Sequence, residues 1–255
     1  MIDIEKLAAI VDHAARNHHE IPKLTTGLPL SLDDAYRIQA TSIQRRITRG
    51  EKRIGVKMGF TSRAKMIQMN CSDLIWGRLT SGMLVEDQST ISLADYVHPR
   101  VEPEIAFLLK EDLPANVTGA RALQAVEAIA PALEIIDSRY QKFQFTIPDV
   151  VADNASSSSF VVGPWCDPHQ AFDNLGMVIE FDGRPVQIGS SAAILGHPLR
   201  SLVAAARLSA AADEPLRAGW IVMAGGATAA EHLKPNTYVR GTVEKLGSCG
   251  FHVKE

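Results

Sequence analysis

The run Val101-Glu102-Pro103-Glu104-Ile105-Ala106-Phe107-Leu108-Leu109 is the tightest constraint on this chain. It sets two carboxylates two residues apart in an otherwise apolar segment. A run of this composition reads as a strand. Successive strand side chains alternate between faces, so Glu102 and Glu104 share one. Like charges side by side repel, and burial makes the repulsion worse. Two environments relieve it: water along an exposed edge strand, or a divalent cation held between the carboxylates. Oxygen-only ligation favours magnesium or manganese over zinc.

Bulk properties narrow the setting. At 255 residues, with 46% hydrophobic and 22% charged residues, the chain has ample length for a large core and the make-up of a soluble enzyme. A net charge of -3 gives no electrostatic case for nucleic acid or an anionic membrane surface. No apolar run approaches the roughly 18 residues of a membrane span; even 201–230 is broken by Arg207, Asp213, Glu214 and Arg217. The start, Met1-Ile2-Asp3-Ile4-Glu5-Lys6, lacks the basic-then-apolar pattern of a secretion signal. Cys71, Cys166 and Cys249 are scattered and form no Cys-x-x-Cys pair. A reducing cytoplasm is the expected location.

Periodicity predicts a helix over 3–18 and a second after Ser31, with Asp34 completing a capping-box-like start, running to Gly50. From Ile54 the texture changes to short apolar runs divided by Gly, Pro, Asp and Ser. Strands are expected at 54–58, 83–85, 102–109, 132–137, 159–162, 177–181, 186–190, 220–223 and 238–246. Asp182-Gly183 marks a hairpin. Helices are expected near 62–70, 119–129 and 196–211. Strands and helices do not alternate regularly, which predicts an α+β fold. The expected organisation is a helical N-terminal region (1–53) joined to a β-rich catalytic core (54–255) in a single compact unit.

Further side chains could carry chemistry. Glu134, between Leu133 and Ile135, is a costly charge unless it is paired or ligates a metal. Pro131 separates it from Glu127, which is expected on a helix surface, while Asp137 beside Ser138 and Arg139 suits a strand-end ion pair. Lys57, in Gly55-Val56-Lys57-Met58-Gly59, is either a snorkelling edge lysine or a buried proton donor. The polar loop with Asn154, Ser156 and Ser158 is a surface turn or a contact for a substrate carboxylate. Asp73 is a helix-terminal carboxylate or a site residue. Arg63 and Arg139 are candidates to pair with an anionic substrate on charge alone. Ala224-Gly225-Gly226-Ala227-Thr228 lacks the lysine and spacing of a phosphate loop and reads as a tight turn near a ligand.

Taken together, Gly55-x-Lys57-x-Gly59-x-Thr61-Ser62, Arg100-Val101-Glu102-Pro103-Glu104-Ile105-Ala106, the run from Pro131 to Arg139, and Ala152-Asp153-Asn154-Ala155-Ser156 resemble the hydratase/decarboxylase branch of the fumarylacetoacetate hydrolase superfamily. The resemblance runs over nearly the whole chain in the same order. It implies a helical N-terminal region, a β-rich core, a magnesium or manganese ion on Glu102, Glu104 and Glu134, and Lys57 as the active-site lysine. Asp73 is a further catalytic candidate, and Arg63, Arg139, Asn154, Ser156 and Ser158 are candidates for substrate binding. The text from Met58 to Met66 and Ile75-Trp76-Gly77 is most similar to the branch members that decarboxylate a 2-oxo-enedioate. Hydration of a 2-oxo-enoate is the nearest alternative. An acylpyruvate hydrolase ranks below it, because no His-Glu pair stands out to activate water. Such a decarboxylase is expected to act on a small 2-oxo dicarboxylate, to form a homo-oligomer and to associate with a partner hydratase. Asn236, where a Gly-Asp turn is usual, and Cys249-Gly250-Phe251 depart from the pattern away from these residues.

Overall fold

The computed structural model describes residues 2–62 and 74–255. Helix α1 (Ile4–Arg16) starts at Asp3, whose side chain accepts from the Lys6 amide. Helix α2 (Leu32–Thr48) starts at Ser31, which accepts from the Asp34 amide and donates to the Asp34 carboxylate. In both, a short oxygen-bearing side chain satisfies an amide that the helix itself leaves unpaired.

The larger sheet runs in the order β2 (Ile75–Thr80), β1 (Arg53–Gly59), β10 (Ile221–Met223), β5 (Arg100–Leu109), β6 (Val126–Ile136), β7 (Ser157–Val162) and β3 (Leu84–Val85), with β11 (Glu231–His232) added to β5. The smaller sheet runs β4 (Thr90–Ser92), β13 (Gly247–Lys254), β12 (Thr237–Val243), β8 (Gly176–Phe181) and β9 (Arg184–Ser190). Helices α3 (Gly119–Gln124), α4 (Ile147–Ala152) and α5 (Pro198–Ala211) fill the connections. The architecture is α+β. Among the described residues no helix is long and apolar enough to cross a membrane.

Register fixes which side chains meet. Opposite residues of paired strands project to the same face. Glu102 lies opposite Glu134, Glu104 opposite Ala132, and Ala106 opposite Ala130. Ala106 also faces Met223, which in turn faces Lys57. One face of the sheet therefore carries Lys57 and all three glutamates. Its apolar remainder (Leu79, Ala106, Ala130, Ala132, Phe160 and Met223) packs on Met83 and on Ile43 of α2. The other face is apolar. Val101, Leu133, Ile135 and Val161 meet Ile179, Val239 and Phe251 of the smaller sheet. Val56, Ile105, Phe107 and Val222 join Leu202, Ala205 and Ala206 of α5.

A polar clip ties α2 to the sheet. Gln39 is fully buried; its amide nitrogen donates to the carbonyls of Trp76 (3.2 Å) and Val151 (2.7 Å), and its oxygen accepts from Arg78 (2.6 Å). Arg78 also pairs with Glu214 and lies 4.6 Å from the Trp76 ring centroid. Both Gln39 amide hydrogens and its amide oxygen are engaged with buried neighbours, which fixes the height of α2 above the carboxylate face.

Several expected elements differ. The helix expected over 119–129 ends at Gln124, and β6 begins at Val126, so Glu127 is an exposed strand residue rather than a helical one. Pro131 lies inside β6 opposite Ile105, where its carbonyl still accepts from the Gly163 amide. Strand β2 was not expected: Gly77 and Arg78 interrupt its apolar texture. The strand expected over 238–246 is β12, which ends at Val243, and an unexpected strand, β13, follows the turn where Lys245 and Gly247 adopt positive φ (65° and 102°). Asp182 and Gly183 form the β8–β9 hairpin with φ of 50° and 76°. Most of the helix expected at 62–70 lies outside the described residues.

Replacing Gln39 with leucine strands two carbonyls and an arginine nitrogen. The expected cost is about 2–4 kcal/mol, read as a lower urea midpoint. A midpoint equal to the parent's would show that the clip contributes nothing to stability.

Candidate metal centre

Glu102, Glu104 and Glu134 each offer a carboxylate oxygen, and these atoms lie within 4.8 Å of one another. All three side chains are buried, with 6%, 0% and 1% of their surface exposed, so water cannot screen their repulsion. Lys57, 3% exposed, reaches across from β1, and its Nζ lies 3.1 Å from both Glu134 oxygens, donating to Oε2. One ammonium does not balance three carboxylates. Burial, then Glu134 and Glu102, push the Glu104 carboxyl well above the usual range, against the pull of Lys57 and the Gly225 amide.

Gly225 explains part of how this charge is held. Its amide donates to Glu104 Oε2 at 2.7 Å. Its φ of +104° suits glycine, and a Cβ there would collide with the Thr61 side chain. The Ala224–Thr228 run is thus a turn against a carboxylate rather than a phosphate cradle. Glu104 Oε1 is buried without a hydrogen bond, and Glu134 Oε1 has only the Lys57 ammonium, 3.1 Å away. Orphaned buried carboxylate oxygens are rare unless an ion is their partner. Three converging hard oxygen donors, one with an orphaned atom, fit a divalent cation, which Glu102, Glu104 and Glu134 would hold with positions left over for a substrate.

The other expected residues are placed differently. Arg139 is 4% exposed and its guanidinium is committed to Asp153, donating to the carboxylate at 2.5 Å and to the Asp153 carbonyl at 2.7 Å. Burial pushes Asp153 up to about 6, while Arg139 pulls it down; Asp153 and Asp137 outweigh the burial of Arg139 and hold it charged. Arg139 is therefore a buried structural pair and is not presented to a substrate. Asn154 is likewise consumed: its side chain accepts from the Arg78 amide (2.7 Å) and donates to the Arg78 carbonyl (2.9 Å), clamping the β2 backbone. Gly77 permits the approach, since a Cβ there would lie 2.6 Å from the Asn154 carbonyl.

Asn154, Ala155 and Ser156 all take positive φ (52°, 52° and 58°), a strained left-handed turn of the kind found at functional sites. It leaves the buried hydroxyls of Ser156 and Ser157 without hydrogen bonds. Ser158 is half-buried on β7. Asp137 accepts from the amides of Val97 and His98, which accounts for its carboxylate without a metal. Arg63 and Asp73 lie outside the described residues.

The fumarylacetoacetate (FAA) hydrolase C-terminal family model matches residues 58–254. The chain belongs to this family. A 4-oxalocrotonate decarboxylase of Pseudomonas sp is 57% identical over 248 residues, covering 97% of each chain. A 2-keto-4-pentenoate hydratase of Paraburkholderia xenovorans (strain LB400) is 35% identical, covering 96% of this chain and 92% of its own. Among solved structures, the 4-oxalocrotonate decarboxylase from Pseudomonas putida G7, complexed with magnesium and adipate, superposes with a TM-score of 0.95 at 36% identity, covering 98% of this chain and 97% of its own. The family match begins at β1 and takes in all three glutamates, so the carboxylate cluster lies within the shared fold.

Two measurements test the centre. Glu104→Gln and Glu134→Gln should each lower divalent-metal affinity at least about tenfold by calorimetry, because each removes a charged ligand. Without metal the sign reverses: Glu104→Gln relieves buried repulsion and should raise the melting temperature of the metal-free protein. A lowered metal-free melting temperature would mean that the carboxylate has a stabilising partner other than a cation.

Proposed function

We propose that this chain decarboxylates 2-oxo-3-hexenedioate (4-oxalocrotonate) to 2-hydroxypenta-2,4-dienoate and CO2, with magnesium as the working cation and manganese as a substitute. The observation that carries this reading is the buried Glu102–Glu104–Glu134 cluster with Lys57 against it, in a chain 57% identical to a 4-oxalocrotonate decarboxylase.

The reaction needs a place for electrons. As the C5–C6 bond breaks and CO2 departs, its electron pair moves through the conjugated chain and collects on the C2 oxygen. A divalent cation on the three glutamates would supply positive charge beside that oxygen. The chain's own residues supply the rest. Lys57 lies beside Glu134, which keeps its ammonium directed into the carboxylate face, where it donates a proton to the C2 oxygen. The apolar packing of Ile43, Met83, Phe160 and Met223 around the face excludes water, which strengthens these interactions and prevents hydration of the dienolate. Because the dienol is unstable, hand-over to a partner hydratase and assembly as a homo-oligomer in the cytoplasm belong to the same reading.

Hydration of a 2-oxo-enoate is the second reading, favoured by 35% identity to a 2-keto-4-pentenoate hydratase. Mixing magnesium-loaded protein with 2-oxo-3-hexenedioate should release CO2 in step with the dienol. Water addition to 2-hydroxypenta-2,4-dienoate with no CO2 would replace the decarboxylase by the hydratase. Lys57→Ala should lower kcat about 10²–10⁴-fold; full activity in that variant would remove the lysine from the mechanism.

A further inference from the structure

A diacid substrate brings two negative charges. The far one, held close to a buried cluster of carboxylates, needs a cation of its own. Arg53, Arg78 and Arg139 are each claimed by a buried or half-buried carboxylate: Glu214 for the first two and Asp153 for the third.

Arg100 is different. It stands two residues before Glu102 on β5, so Arg100, Glu102 and Glu104 project to the same face. Its register partner Ile136 lies two residues beyond Glu134, on the same side of the cluster. A strand rises about 3.3 Å per residue, which sets the Arg100 backbone roughly 7 Å from that of Glu102, a span that a six-carbon diacid matches. Among the described residues no carboxylate forms an ion pair with Arg100, and its Nε is buried without a hydrogen bond.

The guanidinium is also fixed in orientation. Its Cζ lies 3.9 Å from the centroid of the Phe143 ring, on the loop after β6. Stacking on an aromatic face leaves the edges of a guanidinium free to donate two parallel hydrogen bonds to a carboxylate. His98 packs edge-on against the same ring at 6.2 Å, with its Nε2 2.8 Å from Glu20, and His232 lies opposite Arg100 on β11. The surroundings of Arg100 are therefore aromatic and basic, apart from Glu102 itself and Glu20.

We propose that Arg100 binds the distal carboxylate of the diacid and so sets the preference of this site for dicarboxylates over monocarboxylates. The assignment rests on the decarboxylase reading. Because that carboxylate leaves as neutral CO2, its ion pair with Arg100 is stronger in the bound substrate than in the transition state. Arg100 therefore contributes to binding and specificity rather than to the chemical step.

A matched pair of ligands tests this: 2-oxoadipate and 2-oxohexanoate share chain length and the 2-oxo acid end, and differ only in the distal carboxylate. Calorimetry on magnesium-loaded protein should show that Arg100→Met weakens 2-oxoadipate at least about 30-fold and leaves 2-oxohexanoate within about twofold. KM for 2-oxo-3-hexenedioate should rise in parallel while kcat holds or increases. Arg100→Lys, which keeps the charge and loses the fork, should fall between, and it serves if the methionine variant does not fold. Equal weakening of both ligands, or of neither, overturns the Arg100 assignment. A wild type that prefers 2-oxoadipate through Arg100 yet releases no CO2 sinks the decarboxylase reading and leaves the subsite standing.

Discussion

The structure depends on one unfavourable act: three carboxylates are buried together on a single sheet face, with the Lys57 ammonium drawn in beside them. Left alone, such a cluster would cost far more than a marginally stable domain can spare. The fold answers with fixed positive partners. Lys57 comes from β1, the Gly225 amide comes from the turn after β10, and the orphaned Glu104 Oε1 is left for a cation. The apolar packing on both sides of the sheet makes the arrangement stiff, and stiffness is what keeps like charges within reach of one ligand.

A second layer of polar contacts keeps the first in place. Gln39, Arg78 and Asn154 bind almost entirely to one another, to backbone and to Glu214. They hold α2, β2 and the Asn154–Ser156 turn at fixed distances from the carboxylate face. Asp153 and Arg139 do the same for the chain leaving β6. Such groups look functional by residue type, yet their donors and acceptors are already committed to the scaffold.

That distinction explains what could be read from the sequence. The period of two along 101–109 is enough to place Glu102 and Glu104 on one face, because strand geometry forces it. Ser31 with Asp34, and Asp182 with Gly183, announce a helix start and a hairpin through local chemistry alone. Glu134 is visible as a charge in an apolar run. Strand β2 is not legible, since Arg78 and Gly77 only make sense against Gln39 and the Asn154 turn. The extent of β6 is obscured by Pro131, which reads as a breaker until its neighbours are known. Arg139 and Asn154 read as substrate contacts because no sequence pattern reveals that Asp153 and the Arg78 backbone claim them. Arg100 is the opposite case: what marks it is that no carboxylate among the described residues forms an ion pair with it, a property only the folded chain displays.

The hydrogen bond from Gly225 to Glu104 joins residues 121 positions apart. Glu104, Glu134 and Lys57 are made early in synthesis, but the amide that steadies Glu104 arrives only when β10 and the turn behind it have been added. Contacts of such long range carry a large loop-closure cost. An unfinished or truncated chain lacks that donor, so the surroundings of the carboxylate cluster are complete only when the strands that flank it on both sides are in place.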